Sequence, residues 1–278
     1  MANRFWVGGT GTWDASDTTH WALTTGAAGG QSVPGSGDVV TFDAASGGGT
    51  VTVNTTVTVI SITAGAFTGT LDFGTNDNNV TTSGAPGVSF SGTGTRTIDM
   101  GSGTWTFTNT TAAAIFDVGT VTNLIPTFQN AALVFTGNAS VGRTFNGGGQ
   151  TFGSLTINSN SSRAPFSLGG SNTFSSVTIN SGNTLVPPQL ATTTITGALT
   201  ITGTSSAPSG LMSSTIANIN TVSVGSASTA DWAAFQGVTK SGAGSITATN
   251  SFDLGKNTGI TISGPSGGGG GVIGVIGG

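Results

Sequence analysis

Four short stretches decide the fold: AALVFTG at 131–137, GSLTIN at 153–158, SSVTIN at 175–180 and GALTITG at 197–203. They recur at a spacing of 22 residues. In that register Leu133, Leu155, Val177 and Leu199 share one phase, and Phe135, Ile157, Ile179 and Ile201 share the phase two residues on. Val134, Thr156, Thr178 and Thr200 lie between them. Successive strand side chains point to opposite faces, so one face stacks two apolar columns while the other shows mostly threonine. A fixed period with one strong strand per repeat is what a β-solenoid requires. Each coil pairs its backbone with the coils above and below, about 4.8 Å away, and no coil buries its apolar face alone. The expected fold is therefore all-β, a parallel β-helix-like solenoid with coils of about 22 residues. The alternative is a tandem β-sandwich or jelly roll, which short strands and frequent turns also suit. A sandwich has no reason to hold a constant step across four strands. Asn158 and Asn180 close two of the strands, where a left-handed corner residue is expected. The phase weakens before 131 and slips by one near TVSVG (221–225).

Outward from this centre, TVTVNTTVTVISIT (50–63), GTLDFG (69–74), RTIDM (96–100) and GTWTFTN (103–109) keep the period-two alternation of half-buried strands. Residues 1–48 read as an N-terminal β cap rich in tryptophan, with Trp6, Trp13 and Trp21 set between glycine turns. Residues 49–230 form the solenoid body. Residues 231–263 form a closing β segment in which Asp231 to Phe235 suggests one helical turn and two strands flank the turn 253–259. Residues 264–278 are a glycine-rich tail ending VIGVIGG, apolar enough to seek burial in a neighbouring subunit.

Composition removes whole classes. Only 6% of the 278 residues are charged, all ten acids are aspartate, and the net charge is −4. Six cations cannot make the phosphate contacts of a nucleic-acid binder. The helix formers Glu, Lys, Arg, Met and Gln are nearly missing while threonine is roughly a fifth of the chain, which argues against a helical protein. There is no cysteine, hence no disulfide and no thiolate metal site. At 35% hydrophobic the chain is too apolar for a disordered one. The surface must be uncharged hydroxyl and amide, an extracellular style of surface. Yet the start, MANRFWVGG, carries no apolar run of signal-peptide length, and no segment approaches a membrane span. A phage structural protein, made in the host cytoplasm and released by lysis, reconciles the two.

Chemistry has few places to reside. Asp72 and Asp99 stand in the frames Leu-Asp-Phe and Ile-Asp-Met, pointing outward, possible neighbours on adjacent coils. Two carboxylates flanking a bond are what glycoside cleavage needs. The plainer reading is two solvated charges. Asp14 and Asp17 beside His20 make a second acidic group, a weak Ca²⁺ candidate or simply turn hydrogen bonding. His20 is expected to pack beside Trp21. Trp6, Trp13 and Trp21 either stack on sugar rings or plug the open end of the solenoid, the plug being preferred because large aromatics dominate cores and bare strand edges invite aggregation. Gly147–Gly149 precede no helix and no Lys-Ser/Thr, so they are a turn and not a phosphate cradle. No catalytic residue and no cofactor is expected.

RFWVGGTGTWDASDTTHWA followed by VPGSGDVVTFDA, with DLGKNTGITI near the end, resembles phage virion surface proteins of the tail-fibre, appendage and head-decoration kind. The resemblance covers about a quarter of the chain and carries no catalytic motif. It implies a β-rich virion protein that forms homotrimers with itself, contacts other virion proteins, and either attaches to a host surface glycan as a fibre or appendage or clamps capsid subunits as a cement protein. A polysaccharide depolymerase and a bacterial surface adhesin are the remaining alternatives. Its place is then the virion surface, without membrane insertion or nucleic-acid contact.

Overall fold

The computed structural model describes residues 1–111, 114–138, 140–159, 164–215 and 217–265. Almost all regular structure there is β, with a single 3-10 turn at Ala44–Ser46. The chain winds as a three-sided coil, visiting a first, a second and a third face in turn. TVTVNTTVTVISIT shows one circuit: Thr50–Val53 lies on the second face, Val57–Val59 on the third, and Ser61–Thr63 on the first of the next coil.

Eleven strands stack in parallel on the first face, from Ala2–Trp6 to Phe252–Asp253. At about 4.8 Å per step the stack is roughly 50 Å long. The third face runs from Val57–Val59 to Ile260–Ile262. The second face runs from Gly11–Trp13 to Leu124–Thr127, passes through the first halves of Thr151–Ile157 and Thr173–Ile179, and continues in Thr192–Ile195, Asn220–Val224 and Val238–Ser241.

The 22-residue step is real and local. Leu133 pairs with Leu155, Leu155 with Val177 and Val177 with Leu199, each 22 positions on. Both apolar columns are buried throughout, Ile201 at 2% being the most exposed of the eight. Outside this centre the coil length varies. Trp105 pairs with Leu133, 28 positions on, Ile201 with Ala230, 29 on, and Ala248 with Ile262, 14 on. The variation sits in the corners, because the side chains on the faces must stay in register to keep the core stacked.

Three expectations need correction. TVSVG is not a slipped member of the 22-residue column; Asn220–Val224 belongs to the second face and pairs with Thr192–Ile195. Asp231 to Phe235 is no helical turn. It is a strand end, a corner at Trp232 with φ +48°, and a new strand on the first face, Ala233–Gln236. Asn158 and Asn180 are not left-handed; Asn123 and Asn250 are the asparagines with positive φ among the described residues. The backbone N–H groups of Asn158 and Asn180 simply continue the ladder, donating to Phe135 and Ile157.

Strand pairing crosses 48/49 and 230/231 without a break, through Trp13 with Val53 and Ala230 with Ala248. The first coil carries an excursion, residues 14–37, whose short strand Trp21–Ala22 lies antiparallel on the free edge of Ala2–Trp6. The apolar end VIGVIGG of the tail lies outside the described residues.

The core is aromatic at one end and aliphatic at the other. Ring contacts link Trp6 through Trp21, Trp13, Phe73, Trp105, Phe90, Phe116 and Phe145 to Phe174. Beyond Phe174 the interior passes mainly to Leu185, Ile195, Leu211, Val222 and Ala248.

Candidate functional site

The three N-terminal indoles are core. Trp6 and Trp21 are wholly buried and Trp13 is 1% exposed, so none offers a face to a sugar ring. The sugar-stacking expectation gives way to the plug. Trp21 meets Trp6 and Trp13 edge-on, both at 5.1 Å between centroids. His20 packs on Trp6 rather than beside Trp21, its ring parallel to within 5° at 4.5 Å. Its Nδ1 lies 2.8 Å from the Val7 carbonyl, which can only accept, so Nδ1 carries the proton. Gly11 leaves the room this ring needs, since a Cβ there would collide with the imidazole, and a Cβ on Gly8 would press against its edge.

Asp14 and Asp17 organise the turn that leads into this cap. Asp14 Oδ1 accepts from the backbone N–H of Asp17 at 2.6 Å and of Ser16 at 2.7 Å. Asp17 Oδ1 accepts from the hydroxyl and N–H of Thr19 at 2.6 and 2.8 Å. These bonds hold both carboxyls below the usual aspartate range, Asp14 chiefly through the Asp17 N–H and Asp17 chiefly through the Thr19 hydroxyl. A depressed folded pKa gives stabilisation that is complete above the unfolded value and lost as pH falls through the folded one. Acidification below about pH 4 should therefore loosen the 14–19 turn. Amide shifts of Ser16, Asp17 and Thr19 followed by NMR should titrate with midpoints below that of free aspartate; a midpoint at or above it would contradict this. Among the described residues no three acidic or histidine side chains gather to hold a metal ion.

Asp72 and Asp99 do face outward on adjacent coils as direct register partners. Each is engaged by the turn after its own strand. Asp72 accepts from the Thr75 N–H and hydroxyl at 3.0 and 2.5 Å, and Asp99 from the Gly101 N–H at 2.9 Å. They lie in a column between Thr52 and Thr127, on a strand surface and not in either of the two clefts of the first face.

The third face presents one outward column across ten coils: Thr58, Thr81, Thr106, Val134, Thr156, Thr178, Thr200, Thr229, Thr247 and Thr261. None of these nine hydroxyls makes a side-chain hydrogen bond within the described protein, whereas many corner hydroxyls do. Threonine is stiff at χ1 in a strand, so the hydroxyls are held at the coil repeat.

The first face carries two clefts with no carboxylate in their lining, the first of them lined in part by Met1. One, of about 600 Å³, lies over Val39, Ser61 and Thr63 and is walled by the corners at 83–86 and 109–111. The other, of about 430 Å³, lies over Ser167, Thr184 and Val186 beside Met212.

Sequence reasoning missed two buried cations, Arg96 and Arg143, 1% and 2% exposed. Their signal is parity. Arg96 is in phase with inward Ile98 and Met100, and Arg143 with inward Phe145. Arg143 donates to the Gly137 carbonyl at 2.6 Å and to Ser159 Oγ at 2.9 Å. Burial lowers the pKa of both guanidinium groups. No helix among the described residues is long and apolar enough to cross a membrane. No family model, curated protein or solved structure matches this chain.

Proposed function

We propose that this protein is a non-enzymatic component of a bacteriophage particle, exposed on the virion surface, where it acts in host attachment as a fibre or appendage that touches envelope glycans. The observation that carries the reading is a rod whose outer columns are uncharged hydroxyls on a fixed repeat, such as the ten-coil column from Thr58 to Thr261. Backbone ladders along the axis give stiffness. Hydroxyl contacts give adhesion without ion pairing, and water-bridged contacts to a hydrated polymer cost little. The resemblance of the N-terminal stretch to phage surface proteins supplies the particle.

The test is adsorption of the purified chain to cells of the bacterium whose phage carries the gene. Binding should change by less than about twofold between roughly 0.05 and 0.5 M salt, because screening acts on charges. Absence of adsorption, or a steep fall with salt, overturns the reading. Release of reducing ends from capsule that is abolished by Asp72→Asn would overturn the non-enzymatic part.

A cement role is the second reading, favoured by the C-terminal end. Among the described residues nothing pairs with the outer edges of Phe252–Asp253 and Ile260–Ile262, and Phe252 and Leu254 are exposed beside them. An open parallel edge suits strand addition by a neighbouring subunit. Hundreds of copies per particle by gel densitometry would favour cement; a few tens favour the fibre.

A further inference from the structure

We infer that the C-terminal end of the rod is a docking surface for a second copy of this chain, the two copies meeting end to end about a twofold axis. This takes the open edge that a capsid neighbour would use and gives it to a second copy, so it can fail without touching the adsorption and copy-number tests above.

The two ends of the stack are built differently. At the N-terminal end Trp21–Ala22 lies across Ala2–Trp6, and the indoles of Trp6, Trp13 and Trp21 are at most 1% exposed. At the C-terminal end the last inward residues of the third face, Ile260 and Ile262, are only partly buried, although their register partners one coil below, Ile246 and Ala248, are fully enclosed. Phe252 and Leu254 are 39% and 52% exposed on the same end. No strand among the described residues pairs with the outer edges of Phe252–Asp253 and Ile260–Ile262. Open apolar surface beside unpaired backbone marks an association site.

The surface carries its own complementary charges, which selects a second copy as the occupant. Asp253 and Lys256 are both exposed. Asp253 accepts from the Gly255 N–H and the Asn257 amide through Oδ1 alone, and its Oδ2 makes no hydrogen bond among the described residues. A twofold axis passing between the two residues sets Asp253 of each copy against Lys256 of the other. A lysine on an edge turns away partners with no answering charge, and a second copy supplies that charge. Backbone polarity agrees. A twofold normal to the first face lays the edge of Phe252–Asp253 antiparallel on its copy, and antiparallel edges exchange hydrogen bonds in both directions. Head-to-tail stacking is closed on the first face, because Trp21–Ala22 already occupies the edge it would need. The contact is therefore isologous and stops at two copies.

The full chain is followed by sedimentation equilibrium over about a hundredfold dilution and by small-angle scattering. The expected result is a reversible dimer about twice as long as the single stack, roughly 100 Å against roughly 50 Å. Leu254→Asp should weaken it more than about tenfold without lowering the melting temperature, because the side chain is exposed in the single chain and enclosed only in the pair. Lys256→Asp and Asp253→Lys should each weaken it, and mixing the two variants should restore association, since each then supplies the charge the other lacks. Leu190→Asp, 93% exposed on a corner away from this end, should change nothing. A chain that stays monomeric across the series, whether its end is covered by residues 266–278 or kept for a foreign subunit, overturns the inference. So does a dimer or trimer that is not lengthened or that Leu254→Asp leaves intact, and so do charge variants that fail to recover on mixing.

Discussion

Leu155→Asp is expected to abolish soluble folded protein, while Thr156→Asp, one residue away, is expected to leave melting within the range of ordinary surface changes. Leu155 is wholly buried between Leu133 and Val177, and a carboxylate there has no cation or donor to meet. An uncompensated buried charge costs about 3–5 kcal/mol, on top of the lost packing of a core leucine, about 2–5 kcal/mol. Together these match the whole net stability of a typical domain, about 5–15 kcal/mol. Thr156 sits in the outward column between Val134 and Thr178, and a change there should cost no more than about 1 kcal/mol. The position also matters. A stack is held by nearest-neighbour contacts, so a break at its centre uncouples both halves. Circular dichroism melting and soluble yield read the contrast. A milder pair tests superposition directly: Leu155→Ala and Val177→Ala touch, so their costs should be non-additive, whereas Leu155→Ala with Ala248→Gly, several coils away, should add within about 0.5 kcal/mol. Additive costs for the touching pair would contradict the stacked arrangement.

That contrast marks what the sequence could show. Between 133 and 201 the corners happen to have constant length, so stacking appears as a 22-residue period. The face columns persist everywhere else, but corner insertions hide them. The corner around 119–123 helps set Leu133 28 residues beyond Trp105. TVSVG obeys the strand alternation yet belongs to another face, because alternation reports which side of a strand is buried and not which face of the prism it lies on. The reading of Asp231 to Phe235 as a helical turn failed for a similar reason: its apolar residues are split between two faces by a left-handed corner at Trp232. The tryptophans announced a plug by their bulk. Arg96 was visible in principle, through parity, but a cation in an apolar phase is normally read as an exception to the pattern and not as part of the core.

Arg96→Met should therefore be among the most damaging substitutions that keep side-chain bulk. The guanidinium has five N–H donors, and all five are used. Nε and Nη2 donate to the Phe90 carbonyl at 3.1 and 2.6 Å, Nη1 to Gly94 and Thr122 at 3.0 and 3.1 Å, and Nη2 also to Thr120 at 2.8 Å. Those four carbonyls belong to two successive corners of wide coils, where the chain bulges between the first and second faces and cannot satisfy itself with ladder bonds. Methionine fills the same channel with an apolar stem and leaves the acceptors without these donors. Each unsatisfied buried group costs about 1–3 kcal/mol, so a loss of about 4 kcal/mol or more is expected. Lysine keeps the charge but offers three donors from one point, which cannot span four carbonyls, so Arg96→Lys should recover only part of the loss. Denaturant unfolding of the three proteins orders them: wild type, then lysine, then methionine. Amide exchange should report faster opening at 90–96 and 120–124 in both variants, with the corners near Asn172 and Asn183 protected as before. If Arg96→Met melts with wild type, the five bonds do not hold the corners, and the wide coils must be stabilised by their ring contacts alone, Phe90 on Trp105 and Phe116 among them.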